Sequence, residues 1–269
     1  MFENWDPDEV LLLVVSGIVC VGGFVHWLLR LRPVTKLGAP PNHRVPLYLA
    51  ALAGFAVLGL VILLWADQDI RDNSGYVLLV FLMGGSWLTV AGLFFPWLGI
   101  GLRDDALERR NPAAVLALSG AILSVMLTFC GANIGEGPSF WNNVFSGFLS
   151  TGTLLLVWFI LAASGGVARS VAEERDVPAG VRLGSFLLAQ GIILGRAVAG
   201  DWHSVEGTVR DFIQFGWPGA ALLVLAIAVE RALRPRPEPA SPPVISRGVA
   251  PAALYLTAAL LWIGVLGRW

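Results

Sequence analysis

Residues 112–133 read PAAVLALSGAILSVMLTFCGAN, an apolar run opened by proline and carrying no charged side chain. A helix that crosses a bilayer needs roughly 20 mostly apolar residues, and proline suits the first helical position, where its missing N–H costs nothing. This stretch therefore predicts a membrane-spanning helix. Comparable runs lie at about 10–30, 46–66, 76–99, 142–165, 178–199, 208–230 and 248–267, which makes eight. They are too long and too evenly apolar for barrel strands, and in lipid only helices and closed barrels satisfy their own backbone. The expected fold is all-α, a polytopic membrane protein with a single membrane domain over residues 1–269.

Composition agrees. Of the 269 residues, 56% are hydrophobic and only 14% are charged, where a soluble domain carries about 25% charged residues. Mean hydropathy is +0.73. A net charge of −1 gives no basic excess for nucleic acid. Cys20 and Cys130 sit in apolar runs, and three histidines leave little for a metal site, so neither cofactor nor metal is expected. Met1 to Glu9 holds four acids and no Lys or Arg, unlike a cleavable signal. The first run is read as a retained helix.

Thirteen of the eighteen basic residues fall in the first, third, fifth and seventh connections. They include Arg30, Arg32, Lys36, Arg44, Arg103, Arg109, Arg110, Arg169, Arg175, Arg234, Arg236 and Arg247. The positive-inside rule then places these connections in the cytoplasm and both termini outside. Of eleven Trp, Trp5, Trp65, Trp141, Trp202 and Trp269 mark predicted outer ends, and Trp27 and Trp97 inner ends.

The even runs echo one another. Pro46, Pro112, Pro178 and Pro251 each open one, at spacings of 66, 66 and 73. Gly22-Gly23, Gly84-Gly85, Gly152 and Gly216 recur in the odd runs. The pattern reads as four copies of a two-helix hairpin (1–66, 67–133, 134–200, 201–269), related about the membrane normal.

Residues 109–123, RRNPAAVLALSGAIL, carry a resemblance. Asn111, Ala113, Ala114, Ser119 and Gly120 are similar to the helix opening of the YjfL-like family of bacterial inner-membrane proteins, the group known as domain of unknown function 350. Pro178-Ala179-Gly180 stands where that family repeats the opening. The chain departs at Asp176, where the family has Asn, and at Ser124, where Gly is common. The resemblance covers roughly residues 76–202. It implies a bacterial inner (plasma) membrane protein, duplicated or fused from a four-span form.

Two sets of residues are candidates for chemistry. Near the outer face, Asn133, Glu136, Arg196, Asp201, His203, Glu206, Arg210 and Asp211 lie in equivalent connections. They read either as a polar vestibule selecting cations or as a paired loop layer that stabilises helix ends. Within the membrane, Gln190, Ser124, Thr128 and Ser185 read as pore lining or as interhelical hydrogen-bonding glue. Arg182 is expected to snorkel toward the inner surface. Gly184, Gly191 and Gly195 form a small-residue stripe for close packing. His26 reads as interfacial. Pro96 and Pro218 are expected to end or kink helices, and residues 234–247 to form a Pro-rich connector. No nucleophile elbow, HExxH or P-loop occurs, so enzyme activity is not expected. Two functions remain open: a channel or facilitator for small cations or solutes, and an accessory subunit binding another membrane protein or a second copy of itself. The lipid bilayer is the partner common to both.

Overall fold

A computed structural model describes residues 5–30, 43–233 and 243–267. Arg32, Lys36, Arg234, Arg236, Trp269 and most of the Pro-rich connector lie outside the described residues. Among the described residues, eight helices are long and apolar enough to cross a membrane. They are α1 (Pro7–Arg30), α2 (Arg44–Trp65), α3 (Ser74–Gly92), α4 (Pro112–Gly131), α5 (Phe140–Gly165), α6 (Val177–Val198), α7 (Val205–Ala232) and α8 (Ala250–Leu266). The protein is an all-α, multi-pass membrane protein. Residue 7 and residue 266 lie at one face, here the terminal face. The helix ends at the other face carry the arginine clusters, so it is the Arg-rich face.

One expected span is shorter than the apolar run suggested. The run at 76–99 stops being an α-helix at Gly92, and Phe95–Leu98 forms a separate 3₁₀ turn with Pro96 in its first positions. Proline has no N–H to continue an α-helical ladder, but it is at home in a helix's first turn. Pro218, by contrast, lies inside α7.

The even helices stand side by side in the order α2, α4, α6, α8, and the main partner of α1 is α3. Enclosure follows position. α4 and α6 are the most buried helices, whereas α1 and α8 expose most of their length to the lipid side. The α4–α6 contact is made by backbone. A methyl group placed on Gly120 would collide with Gly184, one on Gly131 with Gly195, and one on Gly180 with Ala113. A Cβ on Gly191 would reach Ser124 at 2.7 Å. Small residues let helices approach this closely in lipid, where dispersion rather than water exclusion drives association.

α4 and α6 also begin and end alike. Asn111 caps α4 through Oδ1, which accepts from Ala113 and Ala114 N–H, and Asp176 caps α6 by accepting from Ala179 N–H. The residue before each cap, Arg110 and Arg175, is left-handed with φ 51° and 55°. At the far ends, Gly135 (φ 100°) and Gly200 (φ 136°) turn the chain, a conformation glycine adopts without a Cβ penalty. There the backbones pair laterally. Gly135 N–H donates to Trp65 O (3.2 Å), Gly200 N–H to Ile134 O (3.1 Å) and Trp202 N–H to Glu136 O (2.7 Å).

Candidate functional site

The terminal face gathers part of the predicted polar set. Glu136 N–H donates to Asp201 Oδ1 at 2.9 Å, so these two connections are pinned together. Asn133 lies beneath them, 2% exposed. Its Nδ2 donates to Phe129 O (2.7 Å), and its Oδ1 accepts from Asn143 (2.9 Å). Arg196 stands over the Phe215 ring, 5.9 Å from its centroid. His203, Glu206, Arg210 and Asp211 are exposed along the start of α7. A polar cavity of about 130 Å³ opens at this face, but on the far side of Gly135. Glu9, Asp67, Asp69 and Tyr76 line it, and Tyr76 donates to Glu9 Oε2 at 3.0 Å. Among the described residues no three His, Cys, Asp or Glu side chains are grouped to hold a metal ion.

In mid-membrane several buried polar groups bond to neighbouring helices. Gln190 Nε2 donates to Gly219 O on α7 at 2.7 Å. Thr128 and Thr151 hydroxyls share a 2.8 Å hydrogen bond, and Trp87 Nε1 donates to Thr151 at 2.8 Å. The result is a polar seam joining α3, α4 and α5. Ser124 donates to Ala121 O one turn back in its own helix (2.8 Å), and Ser185 is half-buried. Beside the seam, an apolar groove of about 470 Å³ runs between α1, α3 and α5, with Val15, Trp87 and Phe148 among its walls.

The most polar buried cluster lies toward the Arg-rich face. Arg182 on α6 is 1% exposed, and its guanidinium makes a fork with Glu230 on α7, Nε to Oε1 at 2.7 Å and Nη2 to Oε2 at 2.8 Å. It does not snorkel. The remaining nitrogen, Nη1, donates to the carbonyl of Arg247 in the turn that opens α8. Asp176 Oδ2 lies 3.9 Å from Arg182 Nη2, with its side chain only 7% exposed. Burial pushes the Asp176 carboxyl above its usual range, although Arg182 and the Ala179 N–H oppose the shift. Tyr255 on α8, 1% exposed, lies in the field of both Glu230 and Arg182. Among the described residues its hydroxyl makes no hydrogen bond.

No family model, curated protein or solved structure matches this chain.

Three participants escape sequence reading. Glu230 ends an apolar run beside Arg231 and looks like an ordinary flank. Trp87 and Thr151 look like lipid-facing and packing residues. Only Arg182 carried a signal, a cation one turn inside a helix, where charge is costly without a partner.

Proposed function

We propose that this chain is a packed, non-conducting membrane module, an accessory subunit that holds another membrane protein in place. The observation that carries this reading is the direct backbone contact of α4 with α6 through Gly120, Gly184, Gly131 and Gly195. That contact leaves no opening between the two most enclosed helices. Thr128 and Ser124 support the same reading, because the hydroxyl of each bonds to protein, as does the amide nitrogen of Gln190. The competing reading, a facilitator for small cations selected by Glu136 and Asp201, has in its favour the pinned pair and the acid-lined cavity at the terminal face.

The proposal includes a bacterial inner membrane, cytoplasmic placement of the Arg-rich face and descent from a repeated hairpin of the YjfL-like kind. The matching caps at Asn111 and Asp176, and the matching turns at Gly135 and Gly200, support the repeat.

Uptake of monovalent and divalent cations by liposomes containing the purified protein tests the reading. Uptake equal to that of protein-free liposomes is expected. Uptake that disappears in Glu136→Ala or Asp201→Ala would instead make the chain a facilitator. A photoreactive residue at Val21 or Leu261, both lipid-facing, provides the second arm. Crosslinking in native membranes to a protein of fixed mass is expected, and labelling of lipid alone would remove the accessory role.

A further inference from the structure

Among the described residues, the cluster around Arg182 holds more acid than base. Asp176 and Glu230 share one buried guanidinium, and they share it unequally. Glu230 takes both fork nitrogens at 2.7 and 2.8 Å, while Asp176 stands at 3.9 Å and spends Oδ2 on the Ala179 N–H at 3.1 Å. A carboxylate this enclosed, without an ion partner at hydrogen-bond distance, is costly to keep charged.

The groups facing Asp176 offset this cost only in part. From the preceding turn comes Glu174, a like charge; from α6, Arg182, already committed to Glu230; and from the turn before α8, Arg247, whose charge acts from a distance. The twin position on α4 solves the same capping problem without charge. There Asn111 accepts from Ala113 N–H and uses its amide to donate to Val171 O at 2.6 Å. An independent sign of a second arrangement is Tyr255. Its buried hydroxyl has no acceptor among the described residues, although the Glu230 charge acts on it.

We propose that Asp176 holds a proton when Arg182 grips Glu230, and that losing this proton turns Arg182 toward Asp176, making the cluster a proton-binding site that sets how α6 holds α7 and α8. In the deprotonated arrangement Arg182 becomes the counterion of Asp176, and the Tyr255 O–H donates to Glu230 in its place. The proton exchanges with water at the Arg-rich face, where Asp176 sits at the rim. One carboxyl O–H bond breaks or forms, and no other covalent change is needed. This inference is independent of the accessory role proposed above.

The raised carboxyl of Asp176 fixes the sign of the stability effect. A carboxyl that binds its proton more tightly in the folded than in the unfolded state stabilises the fold below its ordinary value of about 3.9. That contribution is lost as pH rises through the higher folded value.

Infrared titration of the full chain in lipid nanodiscs, with Tm measured across the same pH range, tests the site. Wild type is expected to show a protonated-carboxyl stretch that titrates with a midpoint above the ordinary carboxylate range, and a Tm that falls over the same window. Asp176→Asn, an equally good helix cap, is expected to lose that stretch and flatten the Tm profile. Glu230→Gln leaves Arg182 to Asp176 alone, so the Asp176 midpoint is expected to drop. Three results would each overturn the proposal: a wild-type chain with no such stretch above the ordinary range, a stretch that survives Asp176→Asn, or a midpoint unmoved by Glu230→Gln. The wild-type titration alone decides the matter where a variant fails to fold.

Discussion

A single arginine illustrates how far side-chain chemistry can depart from its position in a sequence. Arg182 lies close enough to a helix end to reach water, yet it turns inward to Glu230, 48 residues away. Breaking such a pair from one side strands a buried charge, which costs about 3–5 kcal/mol, whereas replacing both partners by apolar residues is often neutral. Arg182→Met is therefore expected to lower stability by about that amount, and Arg182→Met with Glu230→Leu to recover most of it. Unfolding in mixed micelles measures both. Equal losses in the single and double variants would show that the pair holds nothing together. Residue chemistry was the least legible level. Hydropathy reports that Glu230 flanks an apolar run, but the partner of a charge depends on which helices are neighbours, and one sequence does not list neighbours. Asn133 and Gln190 were visible as polar residues in apolar surroundings; their partners Asn143 and Gly219 were not.

Helices were far more legible than contacts. The apolar runs locate all eight, because twenty-residue apolar stretches have few other uses. The one clear difference, α3 ending at Gly92, came from letting hydropathy run through Pro96 into a turn that is apolar but not α-helical. The glycine stripe on α6 was also visible in the sequence, as Gly184, Gly191 and Gly195. What it packs against, Gly120 and Gly131 on α4, follows only from the fold. Two kinds of helical glycine are thereby separated. Gly120 meets backbone, and Gly22 on α1 has nothing within 4 Å of where a Cβ would stand. Overpacking a tight contact costs about 1–3 kcal/mol or more, while helix propensity favours alanine over glycine by roughly 0.5–1 kcal/mol. Gly120→Val is expected to destabilise the protein strongly and Gly22→Ala to leave it unchanged or slightly more stable. Reversible unfolding in bicelles reads the contrast. Equal tolerance at both positions would mean that α4 and α6 do not rely on backbone contact.

At the scale of the molecule, helix order sets shape, and the charges predict an orientation. The arginines cluster at one face, and the acids Asp67, Asp69, Glu136 and Asp201 at the other. With the Arg-rich face in the cytoplasm, a reporter that is active only outside is expected to work at either terminus, and one fused in the connection after Arg169 to be silent. The opposite pattern would invert the protein. The row α2, α4, α6, α8 repeats the order of the chain, with each terminal-face connection hooked to its successor through Trp65, Ile134 and Glu136. A ribosome would therefore deliver these helices in the order in which they dock, and each newcomer would find its seat already in the bilayer. The exception is the interval after α4 has entered and before α6 follows. During that interval Gly120 and Gly131 present a bare, backbone-deep notch to the lipid. The synthesis of α6 is therefore the step that covers this notch and removes it from the lipid.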